Sequence, residues 1–373
     1  MKRPVIICAN PVFGDQGLSS TEEIAKELSK IRPVVFVNFP LTLSQLKSER
    51  QRLKRANTVA AVKGYDQLWV YEPPIMLPSN ALNGLSYAVV NGINNKRYYK
   101  GLQRLIKQFN WNDVDLVNAF NPQFTRACIK FKAHSLTYYC YDNIAASHWM
   151  RNHGKRLEEQ LILKADKIIV SSPGLKAKFS KCTIPVALVP NGMDALNFRV
   201  LDRMPKDSIA LAYVGAIDDR MDYVLIDHLL NLPEVSKLKL VGPLKTAEAE
   251  LLVKHHKVEY LGVLPKQEVG KVLTDVNTGL IPFIRNEFTQ YIYPLKINEY
   301  LGKGLAVLTT DFADLTDFNE FVQPVTSFAE ATDELQRILK EDLTESKKLA
   351  RHQFALKNTW QHRAQSFNEA LNG

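Results

Sequence analysis

Short apolar runs that are typical of buried strands alternate with amphipathic segments along most of the chain. In the first half, Val5–Ala9 is followed by a glycine-containing loop and by a helix predicted from about Ser20 to Lys30. In the second half the alternation restarts at Ile209–Val214 and continues as far as Leu305–Thr310. Strands that alternate with helices indicate parallel sheets covered by helices on both faces. The pattern therefore predicts an α/β protein built from doubly wound sheets.

A turn-rich passage, Pro190–Asp194, separates the two runs of alternation, and the charge balance changes sign there. Residues 1–190 contain 27 Lys and Arg against 13 Asp and Glu, whereas the remainder contains 21 against 26. A chain of 373 residues is long enough for two α/β domains. We predict domains at 1–190 and 191–350, followed by a helical tail at 351–373 in which Trp360, Phe367 and Leu371 share one buried face.

The most informative stretch lies between Phe283 and Asp311, where a buried strand, a polar loop, a helix and a second strand follow one another. Pro294 is predicted at the first helical position. The unpaired N–H groups of a helix start favour a phosphate, and Lys296 adds a positive charge. Glu299, one turn further, could accept hydrogen bonds from ribose hydroxyls. An ordinary surface ion pair between Lys296 and Glu299 would explain the same spacing.

Two further loops leave strands at points where a phosphate could bind. Gly14 and Gly17 follow the first strand, although a tight turn between strand and helix explains two glycines equally well. Gly215 begins the loop after Ile209–Val214, and Arg220 in that loop could supply a bidentate phosphate contact. Its aspartate neighbours offer an alternative, a surface ion pair.

Candidate catalytic residues follow the predicted strand Ser135–Tyr141. Asp142 could orient a substrate hydroxyl or take its proton, or it could cap the following helix. His148 lies close by in sequence and could act at the same place. Asp113 and Asp115 form a DxD pair, but no other metal-ligand cluster accompanies them, and we predict no metal.

The basic first half points to an anionic partner, either a membrane surface or a lipid diphosphate. Nucleic acid is disfavoured, because no recognition motif accompanies the charge. Two basic segments are candidates for membrane contact, Leu46–Arg55 and a predicted helix further on, although a solvated helix over a core would look similar to the second. The charged residues of the second are Lys96, Lys100, Arg104 and Lys107, and its predicted apolar face consists of Tyr98, Leu102, Leu105, Ile106 and Phe109.

Cysteine use and hydropathy indicate the compartment. The four cysteines show neither metal-ligand nor redox spacing and are predicted to be reduced thiols. No apolar run reaches the length needed to span a bilayer. We therefore predict a cytoplasmic protein that contacts the inner face of the membrane through its basic half.

The run Pro294–Val307 resembles the nucleotide-sugar signature PLKxxEYLAxGxPVV of GT-B glycosyltransferases of the retaining family-4 type, especially bacterial transferases of teichuronic acid and surface polysaccharide biosynthesis. Tyr138–Asn143 and Val189–Asp194 also look like segments of that family. The resemblance implies two Rossmann-like domains facing a cleft, with a C-terminal helix crossing back to the first. It also implies that the donor is bound by a segment comprising Tyr293, Pro294, Leu295, Lys296 and Glu299.

The same resemblance implies an enzyme that moves a sugar from a UDP- or GDP-sugar to a saccharide or lipid-linked acceptor, with retention and without a metal or other cofactor. One departure is Tyr291, which stands where many relatives carry a second glutamate. Two alternatives remain open: a nucleotide-sugar epimerase of the same fold, and a degenerate subunit that only binds nucleotide. A dehydrogenase is disfavoured, because no GxGxxG follows an early strand.

Overall fold

The protein divides into two compact units. The computed structural model describes residues 2–15, 19–79, 81–144, 150, 153–194, 200, 205–318 and 320–373. The first unit comprises Met1–Pro190 together with Trp360–Gly373, and the second comprises Asn191–Thr359. Within the described residues, no helix is long and apolar enough to cross a membrane.

The first unit is built on an eight-stranded sheet. Its strands are β1 (Val5–Ala9), β2 (Val34–Val37), β3 (Thr58–Ala61), β4 (Leu68–Glu72), β5 (Asp115–Ala119), β6 (Ser135–Cys140), β7 (Lys167–Val170) and β8 (Val186–Leu188). They lie in the order β3-β4-β2-β1-β5-β6-β7-β8. All neighbours are parallel except β3 and β4, which pair antiparallel at the edge. The central strand β1 is buried along its whole length, as its continuous apolar sequence predicts.

Helices connect these strands. They are α1 (Ser20–Leu28), α2 (Arg50–Lys54), α3 (Gly84–Phe109), α4 (Thr125–Phe131), α5 (Gly154–Ile162) and α6 (Pro173–Lys178). One-turn 3₁₀ helices lie at Leu43–Gln45 and Pro122–Phe124. The longest helix, α3, packs against α4, and its buried residues include Tyr98, Leu102 and Leu105. The apolar face predicted for membrane contact is thus largely a core face, because a helix that covers a sheet turns its apolar side inward.

The second unit contains a six-stranded parallel sheet. Its strands are β9 (Ile209–Val214), β10 (Val235–Val241), β11 (Val258–Tyr260), β12 (Thr278–Ile281), β13 (Ala306–Thr310) and β14 (Gln323–Val325), in the order β11-β10-β9-β12-β13-β14. Its helices are α7 (Tyr223–Asn231), α8 (Ala247–Leu252), α9 (Lys266–Val272), α10 (Leu295–Gly302), α11 (Phe328–Arg337) and α12 (Glu345–Leu356). Short helical turns lie at Thr289–Tyr291, Thr316–Phe318 and Ile338–Asp342.

The chain returns to the first unit at its last helix, α13 (Trp360–Asn372), which packs on α1. The predicted return of a C-terminal helix is confirmed. The predicted break after residue 350, however, falls instead after Thr359. The reason is that α12 continues through position 350 and packs on α10 of the second unit.

Candidate functional site

The start of α10 forms the centre of the candidate site. Pro294 is the N-cap and has extended backbone angles (φ −78°, ψ 91°), so the helix begins at Leu295 and not, as predicted, at the proline. A proline side chain carries no hydrogen-bond acceptor, and the N-cap therefore offers the first amides no side-chain partner. Amide N–H groups at a helix start carry a partial positive charge, which suits an anion.

Lys296 and Glu299 form an ion pair on the first turn of α10. The Lys296 Nζ lies 2.5 Å from the Glu299 Oε2, and the exposed fractions of the two side chains are 24% and 4%. Within the described part of the chain, Lys296 is the only side chain that donates to this carboxylate. A buried carboxylate costs free energy unless its oxygens are paired. The alternative of an ordinary surface ion pair therefore does not describe the Glu299 side of this contact.

Two glycines allow the ends of β9 and β10 to approach closely. The Gly215 N–H donates to the Val241 carbonyl over 2.8 Å. A Cβ on Gly242 would overlap the Gly215 carbonyl, and a Cβ on Gly215 would come within 2.9 Å of the Tyr213 hydroxyl. The sequence analysis selected Gly215 and missed Gly242. The available signal was a glycine directly after the apolar end of β10, at the point equivalent to Gly215 after β9.

Arg220 already has an acidic partner in this structure. Its Nε and Nη2 donate to the two carboxylate oxygens of Asp218 over 2.8 and 2.7 Å, and its guanidinium lies over the Phe283 ring at 5.1 Å. Burial is the largest single influence and lowers the pKa of Arg220, but the hydrogen bond to Asp218 and the charges of Asp218 and Asp219 together leave the pKa raised. The ion pair with a neighbouring aspartate, which was the alternative expected for Arg220, is thus present. The Arg220 Nη1 takes no part in the bidentate contact with Asp218.

Tyr293 and Leu295 flank the N-cap of α10 in different ways. Tyr293 is buried, and its ring packs 5.2 Å from that of Phe318. Its hydroxyl lies 3.5 Å from the Asn298 Nδ2, and Leu295 is half-buried. The Tyr293 side chain therefore belongs to the core beneath the helix start.

The structure describes only some of the candidates in the first unit. Gly14 has a left-handed backbone (φ +80°) that favours glycine, and its N–H donates to the Glu22 Oε2 over 2.8 Å. Asp142 follows β6, is half-buried, and accepts a hydrogen bond from the Asn143 N–H over 2.7 Å. Helix α5 begins at Gly154, and most of the segment between Asp142 and this helix, residues 145–149, 151 and 152, lies outside the described residues. Gly17 and His148 lie outside the described residues.

The DxD pair is occupied by cations of the protein itself. Asp113 pairs with Arg3 over 2.8 Å, and the fully buried Asp115 pairs with Arg32. Across the described ranges, no group of three or more His, Cys, Asp or Glu residues is placed to hold a metal ion.

Comparison with known proteins identifies the fold. No family model matches the chain. A sucrose-phosphate synthase from Thermosynechococcus elongatus superposes with a TM-score of 0.70 at 13% identity, covering 99% of this chain and 98% of that one. The chain has the GT-B fold. HepE of Anabaena, solved in complex with UDP and glucose, shares the GT-B fold with a TM-score of 0.66 at 11% identity, covering 99% of each chain.

A curated relative matches part of the sequence. TuaH of Bacillus subtilis, named for a teichuronic acid biosynthesis glycosyltransferase, is 26% identical over 180 residues. The match covers 44% of this chain and 45% of the relative, so it spans less than half the length of either protein. This likeness is consistent with the GT-B fold and directs the functional proposal to sugar transfer.

Proposed function

We propose that this protein is a glycosyltransferase that moves a sugar from a UDP- or GDP-sugar donor to a saccharide or lipid-linked acceptor. The observation that carries the proposal is the Lys296–Glu299 pair on the first turn of α10 in a GT-B fold. The pair brings a cation and a buried carboxylate together beside the first amides of a helix start. Diphosphate and ribose are the two parts of a nucleotide that such an arrangement can bind.

Donor binding separates the two partners of this ion pair. The Glu299 carboxylate accepts hydrogen bonds from both ribose hydroxyls, which replace the contact from Lys296 and keep the buried charge satisfied. Lys296 then turns to the diphosphate together with the α10 amides after Pro294. Because the carboxylate is already fixed by burial, little side-chain ordering is needed when the ribose binds.

The leaving group carries the charge that the protein must stabilise. The anomeric bond to the diphosphate breaks, a bond to the acceptor oxygen forms, and the acceptor proton leaves. Lys296, the Arg220 guanidinium beyond its contact with Asp218, and the α10 helix start stabilise the growing negative charge. These groups supply the positive charge without a metal ion or other cofactor.

Residues of the first unit serve the acceptor in this proposal. Asp142, at the end of β6, or His148 positions the acceptor hydroxyl or takes its proton. The loop with Gly14 and Gly17 contacts the donor diphosphate or the acceptor. Transfer proceeds with retention of the anomeric configuration, as in the family that the α10 segment resembles.

Two relatives support the choice of substrates. HepE has been solved with UDP and glucose and with UDP-glucose, which favours a UDP-linked hexose as the donor. TuaH is named for teichuronic acid biosynthesis, which favours a growing surface polysaccharide or its lipid-linked form as the acceptor. Such a reaction takes place in the cytoplasm, at the inner face of the membrane.

Calorimetric titration of UDP and GDP into the wild type and Glu299→Gln tests the site. We expect one of the two nucleotides to bind the wild type, and Glu299→Gln to weaken that binding at least tenfold, because the neutral amide is a poorer partner for two hydroxyls. Glu334→Gln is the matched control: Glu334 is also buried and also pairs at three-residue spacing, with Arg337. Equal affinity in the wild type and Glu299→Gln would contradict the proposal.

Product analysis separates the proposed transfer from the two alternatives. Incubation with a UDP-hexose and a saccharide acceptor should release UDP only when the acceptor is present, and proton NMR of the product should show the donor's anomeric configuration. A new sugar nucleotide formed without an acceptor would identify an epimerase. Nucleotide binding without turnover across donors and acceptors would identify a binding subunit.

A further inference from the structure

The outward face of α3 carries an exposed apolar stripe. Leu85, Val89 and Ile93 are 80%, 54% and 43% exposed. They recur every fourth residue and therefore lie above one another on one side of the helix. The opposite side contributes Tyr87, Asn91 and other buried residues to the core of the first unit. The stripe is distinct from the core face, and its side chains remain substantially exposed.

The same face of α3 becomes strongly basic beyond the stripe. Lys96, Lys100 and Lys107 are exposed and continue the line of Leu85, Val89 and Ile93 at helical spacing, and Arg97 and Arg104 flank it. From Leu85 to Lys107 the face is about 33 Å long. No acidic residue occurs anywhere in Gly84–Phe109. The face thus combines an apolar end and a cationic end without any opposing charge.

Neighbouring side chains extend the positive charge. Helix α4 packs against α3 and presents exposed Arg126 and Lys130, and the Lys130 ammonium lies 5.0 Å from the centre of the Tyr99 ring. Residues 1–190 carry 27 basic against 13 acidic residues, which is a net charge of +14. The potential around α3 is therefore positive on the scale of the unit as well as of the helix.

We propose that α3 is a docking surface for an anionic lipid bilayer. Leu85, Val89 and Ile93 enter the boundary between headgroups and acyl chains, while Lys96, Lys100 and Lys107 contact lipid phosphates. Apolar insertion and attraction to anionic lipid add together, and two such signals bind a protein to a membrane more stably than either does alone. A second copy of this chain is a poor occupant, because two α3 faces would bring ten cations together without an acid between them.

This surface deepens the proposed function by assigning the acceptor to the membrane. Its chemistry is separate from the donor site, because every residue that carries it belongs to the first unit, whereas Lys296 and Glu299 belong to the second. Membrane binding can therefore be measured without nucleotide. Failure of docking and failure of the donor site are distinguishable in the same protein preparation.

Vesicle flotation tests the docking surface. The probes are vesicles of phosphatidylcholine alone and vesicles with one third phosphatidylglycerol, at low and high salt. We expect the full-length protein to float only with the anionic vesicles and to be released by salt. The triple variant Lys96→Gln/Lys100→Gln/Lys107→Gln should lose roughly 100-fold in partition coefficient. The triple variant Leu85→Ser/Val89→Ser/Ile93→Ser should lose at least tenfold.

Matched controls distinguish the contribution of the α3 face from a general effect of removing charged or apolar side chains. Lys63→Gln/Lys164→Gln/Lys176→Gln removes three exposed lysines elsewhere in the first unit, and Val224→Ser/Leu251→Ser/Leu349→Ser removes three exposed apolar side chains of the second unit. Both should float within about threefold of the wild type. All variants should keep the wild-type melting profile, which shows that the first unit is folded, and the wild-type affinity for the nucleotide, which shows that the second unit is intact.

Insertion has its own readout. A Leu85→Trp variant should be quenched by lipids brominated on their acyl chains, and Leu251→Trp should not. Three results would overturn the proposal: no flotation of the wild type with anionic vesicles, equal loss in the control triples, or a wild-type dimer that Leu85→Ser/Val89→Ser/Ile93→Ser converts to a monomer.

Discussion

A contact between Gly279 and Tyr300 fixes the position of α10, the helix that carries the candidate site. The Tyr300 ring of α10 lies against Gly279 of β12, so closely that a Cβ on Gly279 would overlap the ring. The Tyr300 hydroxyl accepts a hydrogen bond from the Val214 N–H at the end of β9 over 3.0 Å. Tyr300 is 1% exposed. The turn of α10 that carries Lys296 and Glu299 is thus held against β9 and β12 at once.

We expect Gly279→Ala to destabilise the second unit by about 1–3 kcal/mol, because the added methyl group overpacks a closed core. Urea unfolding measures the change. Shrinking the tyrosine as well, in Gly279→Ala/Tyr300→Leu, should cost less than the sum of the two single changes. If the two changes in the free energy of unfolding were strictly additive, residues 279 and 300 would not be in repulsive contact.

Gly92→Ala in α3 serves as the control. A Cβ there meets nothing within 4 Å, and alanine is the better helix former. This substitution should therefore stabilise the protein by about 0.5–1 kcal/mol. Both substitutions add the same methyl group. The opposite signs of their effects on stability therefore follow from the packing around Gly279 and Gly92.

Among the elements, α13 completes the packing of the first unit. Its residues Trp360, Ala364, Phe367 and Leu371 are buried, and the Phe367 ring meets Tyr139 of β6 edge-on at 5.1 Å. The buried Arg32 donates to Asn368 and Asn372 over 3.3 and 3.4 Å, and it also pairs with Asp115 of β5. The last helix therefore covers both apolar and charged parts of this unit.

Phe367→Ala should reduce the free energy of unfolding of the first unit by about 3–5 kcal/mol, because it leaves a cavity where a fully buried ring stood. Gln365→Ala, on the exposed side of the same helix, should stay within about 0.5 kcal/mol of the wild type. Limited proteolysis that releases α13 from Phe367→Ala and not from Gln365→Ala would locate the effect. An unchanged melting profile for Phe367→Ala would contradict the packing role.

The elements that the sequence predicts well are those with a single dominant signal. Largely apolar runs identify β1, β9 and β13, because strands that are buried on both faces are usually rich in apolar residues. Short edge strands lack this signal. Strand β3 is mostly exposed, and the hydrogen bonds that define it come from β4, so nothing local marks it as a strand. Helix α3 has apolar residues on two faces, and only burial separates the core face from the exposed stripe.

The candidate site is predictable as far as its chemistry is local. The spacing of Lys296 and Glu299 places both on one turn, and the structure joins them. The partner of Arg220 depends on how the loop folds, and its aspartate was only one of several possible contacts. The role of Gly242 depends on its close approach to Gly215 after the neighbouring strand. The order of residues along the chain does not reveal that the two strands are neighbours.

On the scale of the whole molecule, charge and chemistry are divided between the two units. Residues 1–190 hold the excess of cations together with α3, and the more acidic remainder holds the α10 site. The proposed function would use this division, with a small soluble donor at the second unit and an acceptor held at the membrane by the first. The nucleotide and the membrane should therefore protect different segments of the chain from solvent.

Hydrogen exchange followed by mass spectrometry can record both signatures in a single protein. The nucleotide that binds should slow exchange at the start of α10 and in the loop after β9, where amides contact the diphosphate. Anionic vesicles without nucleotide should slow exchange in the first half of α3. Glu299→Gln should lose the first effect alone, and Lys96→Gln/Lys100→Gln/Lys107→Gln the second alone. Protection by vesicles that is confined to α10 would contradict this division, because the surface of the second unit would then be the one that meets the lipid.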